Sequence, residues 1–350
     1  MSYTNGLDKP SDYFTTKLYT GNGASSHAIS GVGFQSDWTW IKNRSASLNH
    51  ALTDSVRGAP TRLMSNTTDG DINQTTGLLS FNSDGFTVGA DSGYNGNGNS
   101  IVAWNWKAGT SFTNDASATG IGTIDSTGSV NTDAGFSIIS YTGNGSAGAT
   151  IGHGLGVTPK MFIVKSRSLA QDFTVYNEYI GNTNGLFLNN TDASTGDSSY
   201  FNNTSPTSSV FTVGTNARGN TNGATYIAYC FNDVQGYSKF GAYTGNGNAD
   251  GTFIYTGFKP AWLLVKSTAA NDWILHDTKR NPHNVSNVIL HPNASDADVT
   301  NTIYNLDILS NGFKTRTTHA RLNGSGVTYI YMAFAENPFV TSTGVPATAR

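Results

Sequence analysis

Cysteine is almost missing from this chain. The single Cys230 excludes an intramolecular disulfide framework and a cysteine-based zinc cluster. Charge is scarce too: only 12% of the 350 residues are charged, about half the usual share, so solubility has to come from neutral polar groups. The net charge of -3 and a pI near 6.1 come with no run of lysine or arginine. That excludes the electrostatic footprint of a nucleic-acid partner or of an anionic membrane surface. No stretch approaches the ~20 apolar residues of a membrane span, and Met1-Ser2-Tyr3-Thr4-Asn5-Gly6 has no basic patch followed by an apolar stretch. A chain made in the cytoplasm, without Sec export, is therefore expected. Glutamate is confined to Glu178 and Glu336, which leaves no positioned acid pair of the kind that cuts polysaccharides. No Gly-x-Ser-x-Gly elbow presents a serine. Helical periodicity is lacking as well, since Gly or Pro breaks every candidate stripe.

Glycine, asparagine, serine and threonine are what the chain has in quantity, and they are arranged in a repeat. Tyr-Thr-Gly-Asn-Gly occurs at Tyr19 to Gly23, Tyr141 to Gly145 and Tyr243 to Gly247. Each copy is followed by an apolar strand ending in lysine: Asp37 to Lys42, Lys160 to Lys165 and Ala261 to Lys266. An aromatic strand centred on Phe86, Phe211 or Phe313 comes next. A closing strand ends each segment: Ile101 to Trp106, Tyr226 to Phe231 and Tyr329 to Phe334. Landmarks in a constant order mark internal duplication. Short β-branched and aromatic runs between Asn-Gly, Asp-Gly and Gly-Asn turns predict an all-β chain of three tandem antiparallel β-sandwich modules. In the closing strands Ile227, Tyr229 and Phe231 share one face, so one heavily apolar side is expected to be buried. The pentapeptide reads as a strand end entering a tight turn, because Asn and Gly tolerate positive φ.

The organisation expected is an attachment arm at residues 1–12, module one at 13–109, a flexible linker or long surface excursion at 110–134, module two at 135–236, module three at 237–339, and an extended tail at 340–350. The linker accounts for the wider gap between the first two pentapeptides. The seamless second junction predicts that modules two and three pack tightly while module one is freer. Tyr3, Asp8 and Tyr13 are the candidate anchor residues of the arm.

Candidate sites are few. Asp69-Gly70-Asp71 and Asp296-Ala297-Asp298 offer the hard oxygen ligands of calcium without the spacing of an EF-hand, so solvated turns are expected there. Other aspartates are expected to cap backbone amides in turns. Among seven histidines, His276, His283 and His291 have no metal-ligand spacing, and His153 is expected to order a turn. Cys230 aligns with Asn105 and Ala333 and reads as a small strand residue. Asp54-Ser55-Val56-Arg57 matches Asp277-Thr278-Lys279-Arg280, with Asn177-Glu178-Tyr179-Ile180 as the altered middle copy. An Asp–Arg pair, partly buried or holding its loop against the strand ending at Lys42 or Lys266, is expected. Five of the six tryptophans lie in repeated strands and read as packing. Trp273 lies outside them, and with His276 and Asp277 it makes the candidate glycan contact.

These segments resemble a family of tailed-phage virion proteins of the marine and cyanobacterial virus type, labelled structural or tail-fibre-like, whose members carry repeated Tyr-Thr-Gly-Asn-Gly modules. The residues that carry the resemblance are Asp54 to Gly58, Ser83 to Gly89, Phe136 to Lys165 including Ile151-Gly152-His153-Gly154-Leu155-Gly156-Val157, Tyr226 to Phe231, and Ala333 to Phe339. The resemblance implies a lectin-like sandwich on the virion surface. It also implies self-association, often as a trimer, contact with other virion proteins, and no catalytic residue or cofactor to carry over. A non-enzymatic virion component is thus the first expectation. The alternative is an adhesin whose loops read host surface polysaccharide.

Overall fold

The computed structural model describes residues 7–339; Tyr3 and the tail at 340–350 lie outside that range. Three main sheets carry the chain, and each has the same order. In module one the pentapeptide strand Phe14–Thr20 pairs with the closing strand Ser100–Trp106, which pairs with the lysine strand Trp38–Asn43, which pairs with Ala51–Asp54. Module two repeats this with Phe136–Thr142, Thr225–Phe231, Met161–Ser166 and Thr174–Asn177. Module three does so with Ser238–Thr244, Thr328–Pro338, Phe258–Ser267 and Ile274–Asp277. All these pairings are antiparallel.

A smaller sheet covers one face of each main sheet. It contains Gly85–Val88, Val210–Val213 or Gly312–Thr315, the strands centred on Phe86, Phe211 and Phe313. Separate apolar clusters fill the three sandwiches, around Phe86, Phe211 and Phe313. The opposite faces of all three main sheets meet in one central core. Trp38, Trp40, Trp104 and Trp106 of module one, Ile163, Tyr229 and Phe231 of module two, and Trp262, Leu264 and Phe334 of module three belong to it.

This corrects the expectation of a single buried side. In Tyr226 to Phe231 the residues Ile227, Tyr229 and Phe231 point to the central core, while Tyr226, Ala228 and Cys230 point to the outer one. Burial on both faces is why the lysine and closing strands read as continuous apolar runs, without polar alternation. Module one is also no freer than the others, because its four tryptophans form much of the shared core. Trp38 stacks on Tyr229 with ring centroids 4.5 Å apart, and Trp106 meets Trp262 edge-on at 5.5 Å.

The expected linker is ordered as well. Thr110–Asn114 and Ser126–Asn131 form two strands, and the second pairs with Phe136–Thr142, extending the sheet of module two. Threonine and serine suit an edge strand, whose exposed face needs no apolar residue. The described end of the arm folds back on the body: the Leu7 amide donates to Gln235 O at 3.1 Å, and Pro10 is buried. Of the anchor candidates, Asp8 is exposed and Tyr13 is half-buried with its ring 5.9 Å from that of Tyr237.

Candidate functional site: turns and seams of the three modules

Each pentapeptide is clamped by a buried asparagine that stands the same distance ahead of the closing strand. Asn95, Asn220 and Asn323 each accept, through Oδ1, the backbone amide of the pentapeptide's own asparagine, at 2.9, 2.9 and 3.0 Å. The pentapeptide tyrosine adds a second tie. Tyr19, Tyr141 and Tyr243 donate their hydroxyls to the carbonyl preceding each clamp, at 2.7, 2.8 and 2.7 Å. The first glycine is needed for close approach: a Cβ on Gly21 would meet Gly96 O at 2.2 Å, and one on Gly245 would meet Gly324 O at 2.4 Å. The motif is thus a closure joining the start of a module to its end.

The lysine that ends each apolar strand shares the inward parity of that strand. At the sheet's end it reaches carbonyl oxygens of a different module. Lys42 Nζ donates to Ser295 O at 3.1 Å in module three, Lys165 Nζ to Thr68 O at 2.7 Å in module one, and Lys266 Nζ to Thr191 O at 3.4 Å in module two. A backbone bond repeats beside each: Asp298 N to Arg44 O, Asp71 N to Arg167 O and Ser194 N to Thr268 O. Module one therefore grips three, three grips two, and two grips one. A head-to-tail contact whose rotation closes gives a ring, here within one chain. Burial lowers all three lysine pKa values from the usual 10.5 to about 8, against the opposing pull of nearby aspartates.

Two of the three seams carry buried ion pairs. Asp54 and Arg57, both with fully buried side chains, meet at 2.6 Å, and Tyr229 of module two donates its hydroxyl to Asp54 Oδ2 at 2.8 Å. Asp277 and Arg280 meet at 2.5 Å, and Trp104 Nε1 of module one donates to Asp277 Oδ2 at 3.2 Å. Burial opposes the charge of each arginine, yet the adjoining carboxylates outweigh it and raise both pKa values. The pair anticipated from sequence is therefore present and fully enclosed. At the third seam the equivalents are Asn177, Ile180 and Met332, so the donor, the acid and the base are all replaced together. By register, Asn177 faces Met161 as Asp54 faces Trp38 and Asp277 faces Trp262.

The acidic loops belong to the same seams. Asp71 takes Arg57 and Arg167, and Asp298 takes Arg44 and Arg280. Ion pairs with arginine, rather than solvated turns, are the state of these two aspartates. Among the described residues no group of three or more His, Cys, Asp or Glu side chains converges as metal ligands do. Aspartate caps appear where turn chemistry placed them: Asp91, Asp115 and Asp197 each accept an amide at the start of a four-residue helix.

The glycan-contact candidates need correction. Trp273, His276 and Asp277 are 1, 0 and 2% exposed, because Ile274–Asp277 is a strand covered by the central core on one face and the outer core on the other. Trp273 Nε1 donates to Phe187 O at 2.8 Å across the seam with module two, and His276 Nδ1 lies 3.0 Å from Ser286 Oγ. Burial lowers the His276 pKa to about 3, with the Arg280 charge adding to the shift. His153 orders its turn, accepting the Leu155 amide through Nδ1. Cys230 is buried, and burial pushes its thiol pKa up.

Sequence reading passed over the surface aromatics. Tyr179, Phe253 and Tyr255 are 53, 44 and 60% exposed. Phe253 and Tyr255 flank the buried Ile254, whose register partner is Phe313. In the sister modules Ile29 pairs with Phe86 and Ile151 with Phe211. Their flanking residues are Ala28 and Ser30, or Thr150 and Gly152, so the aromatic pair Phe253 and Tyr255 belongs to module three alone, while Tyr179 lies in module two. That difference is legible by aligning the repeats.

A family profile described as a domain of unknown function, DUF7483, matches residues 9–338. Comparison with curated proteins and with solved structures gave no match.

Proposed function

Since the chain belongs to the DUF7483 family, a domain of unknown function, we propose its role from its own residues: a non-enzymatic structural component of a bacteriophage virion exterior, a tail fibre, tail appendage or head decoration that self-associates. The observation that carries this reading is where the repeated polar groups go. The pentapeptides, the clamping asparagines and the three lysines all turn their polar atoms onto other parts of the chain. Duplicated residues that tie sheets together serve architecture. One core shared by three sheets leaves few places to open locally, which suits a part that has to resist proteolysis outside a cell. A body already closed as a ring of three also fits the end of a trimeric fibre, the oligomer suggested by the resemblance. Mass spectrometry of purified virions, with antibody labelling of intact particles, tests the proposal. It expects the chain in the particle and label on its outside; a chain left in the non-particle fraction refutes it.

The module-three aromatics favour a second reading, an adhesin for host surface polysaccharide. Planar apolar rings held outward on a rigid strand suit sugar faces, and several copies on one particle would multiply a weak contact.

A further inference from the structure

A cavity of 540 Å³ opens beside Tyr255. It lies where the outer sheet of module three meets the junction between modules two and three, and Asp233, Lys239, Thr256 and Phe339 also line it. Asp233 and Lys239 form an ion pair at 2.6 Å, with the aspartate side chain 23% and the lysine side chain 36% exposed. The other carboxylate oxygen accepts the Phe240 amide at 2.7 Å, which fixes the acid in place. Gly257 adopts a φ of +84°, a turn conformation that side chains other than glycine rarely take, and lies beside the Tyr255 ring. The wall therefore offers a flat ring that carries its own hydroxyl and a neutralised charge pair with capacity for further hydrogen bonds.

We propose that this cleft binds a neutral hexose oligosaccharide, one pyranose stacking on Tyr255 and its hydroxyls bonding to the Asp233–Lys239 pair. The charge pair decides the class. A paired carboxylate and ammonium bring no net charge to attract a sulfated, phosphorylated or uronic sugar, while each hydroxyl can donate to the carboxylate and accept from the ammonium. Ring stacking then selects a hexose presenting an axial C–H face. The position is specific to module three, since Ser30 and Gly152 stand where Tyr255 does and offer no ring.

The proposal rests on the adhesin reading and deepens it. The test titrates the full chain with glucose, galactose and mannose hexamers, following saturation-transfer NMR and calorimetry, and compares Tyr255→Ala with Tyr255→Phe. Binding of at least one hexamer is expected, insensitive to salt, about tenfold weaker in Tyr255→Ala and within about threefold in Tyr255→Phe. With Tyr255 60% exposed, unchanged melting should show that both variants are folded. Binding that survives Tyr255→Ala overturns this site while leaving the adhesin reading in place. Failure of all three hexamers to bind the unaltered chain overturns the site, and the adhesin reading falls with it if an array of neutral and charged bacterial polysaccharides also gives no binding. A change of oligomeric state in Tyr255→Ala, seen by light scattering, overturns the site by making this face a contact between copies.

Discussion

The Asp277–Arg280 pair can be tested against a replacement that the chain already contains. Arg280 donates to Asp277 Oδ2 at 2.5 Å, to Asp298 Oδ1 at 2.9 Å and to Leu275 O at 3.0 Å. Arg280→Ile would leave Asp277 as a buried carboxylate, held among the described residues by the amides of residues 279 and 280 and by Trp104 Nε1. Removing one partner of a buried ion pair costs about 3–5 kcal/mol, because the remaining charge cannot reach water. In the middle module Asn177 and Ile180 hold the same positions without any charge. The double variant Asp277→Asn with Arg280→Ile should therefore recover most of the loss and lie within about 1–2 kcal/mol of the unaltered chain. Urea denaturation followed by tryptophan fluorescence gives both values, since all six tryptophans are buried. A single variant costing under about 1 kcal/mol, or a double variant no more stable than the single, would refute the account of the seam.

Asn323 Nδ2 donates to Asn246 Oδ1, Asn248 O and Thr317 O, so Asn323→Ala should cost about 2–4 kcal/mol by urea denaturation; a loss under 1 kcal/mol would show that the clamp is dispensable. The three lysines have folded pKa values near 8, below the unfolded value of 10.5, so the unfolded chain binds more protons between them and stability should rise with pH above about 8. The rise ends near pH 10, where buried tyrosines such as Tyr19 and Tyr243, with pKa values raised by burial, begin to favour the unfolded state; a melting temperature that falls from pH 8 to 9.5 contradicts the lysine assignment. The modules share one core, so calorimetry of the whole chain should give a single transition. Residues 237–339 expressed alone should bind a hydrophobic dye through Trp262, Leu264, Met332 and Phe334, which the other modules cover. Three separate transitions, or a well-folded isolated module, would disprove the sharing.

Much of the sheet layout was legible because strand signals are local. The lysine strands, the Phe-centred strands and the closing strands all stand where their apolar runs placed them, and turn glycines divide them. The clamping asparagines were legible in principle, since each recurs at a fixed place ahead of its closing strand, but one more asparagine in an asparagine-rich chain gives no signal until its partner is known. Trp273 and His276 misled because sequence shows what a side chain is able to bind, not which neighbour covers it. Residues 110–134 misled because threonine and serine have the same composition in a linker and in an edge strand.

By itself the sequence determined a β-rich unit used three times, its turns and the apolar identity of its strands, because propensity and turn chemistry act over a few residues. Tertiary structure alone decided that the three units close head to tail around one core, that Lys42, Lys165 and Lys266 are buried, and that two seams carry a buried Asp–Arg pair where the third has Asn177 and Ile180. Those outcomes depend on groups from different modules meeting, such as Lys42 with Ser295, far along the chain. Packing brings such groups together, and no local pattern records it.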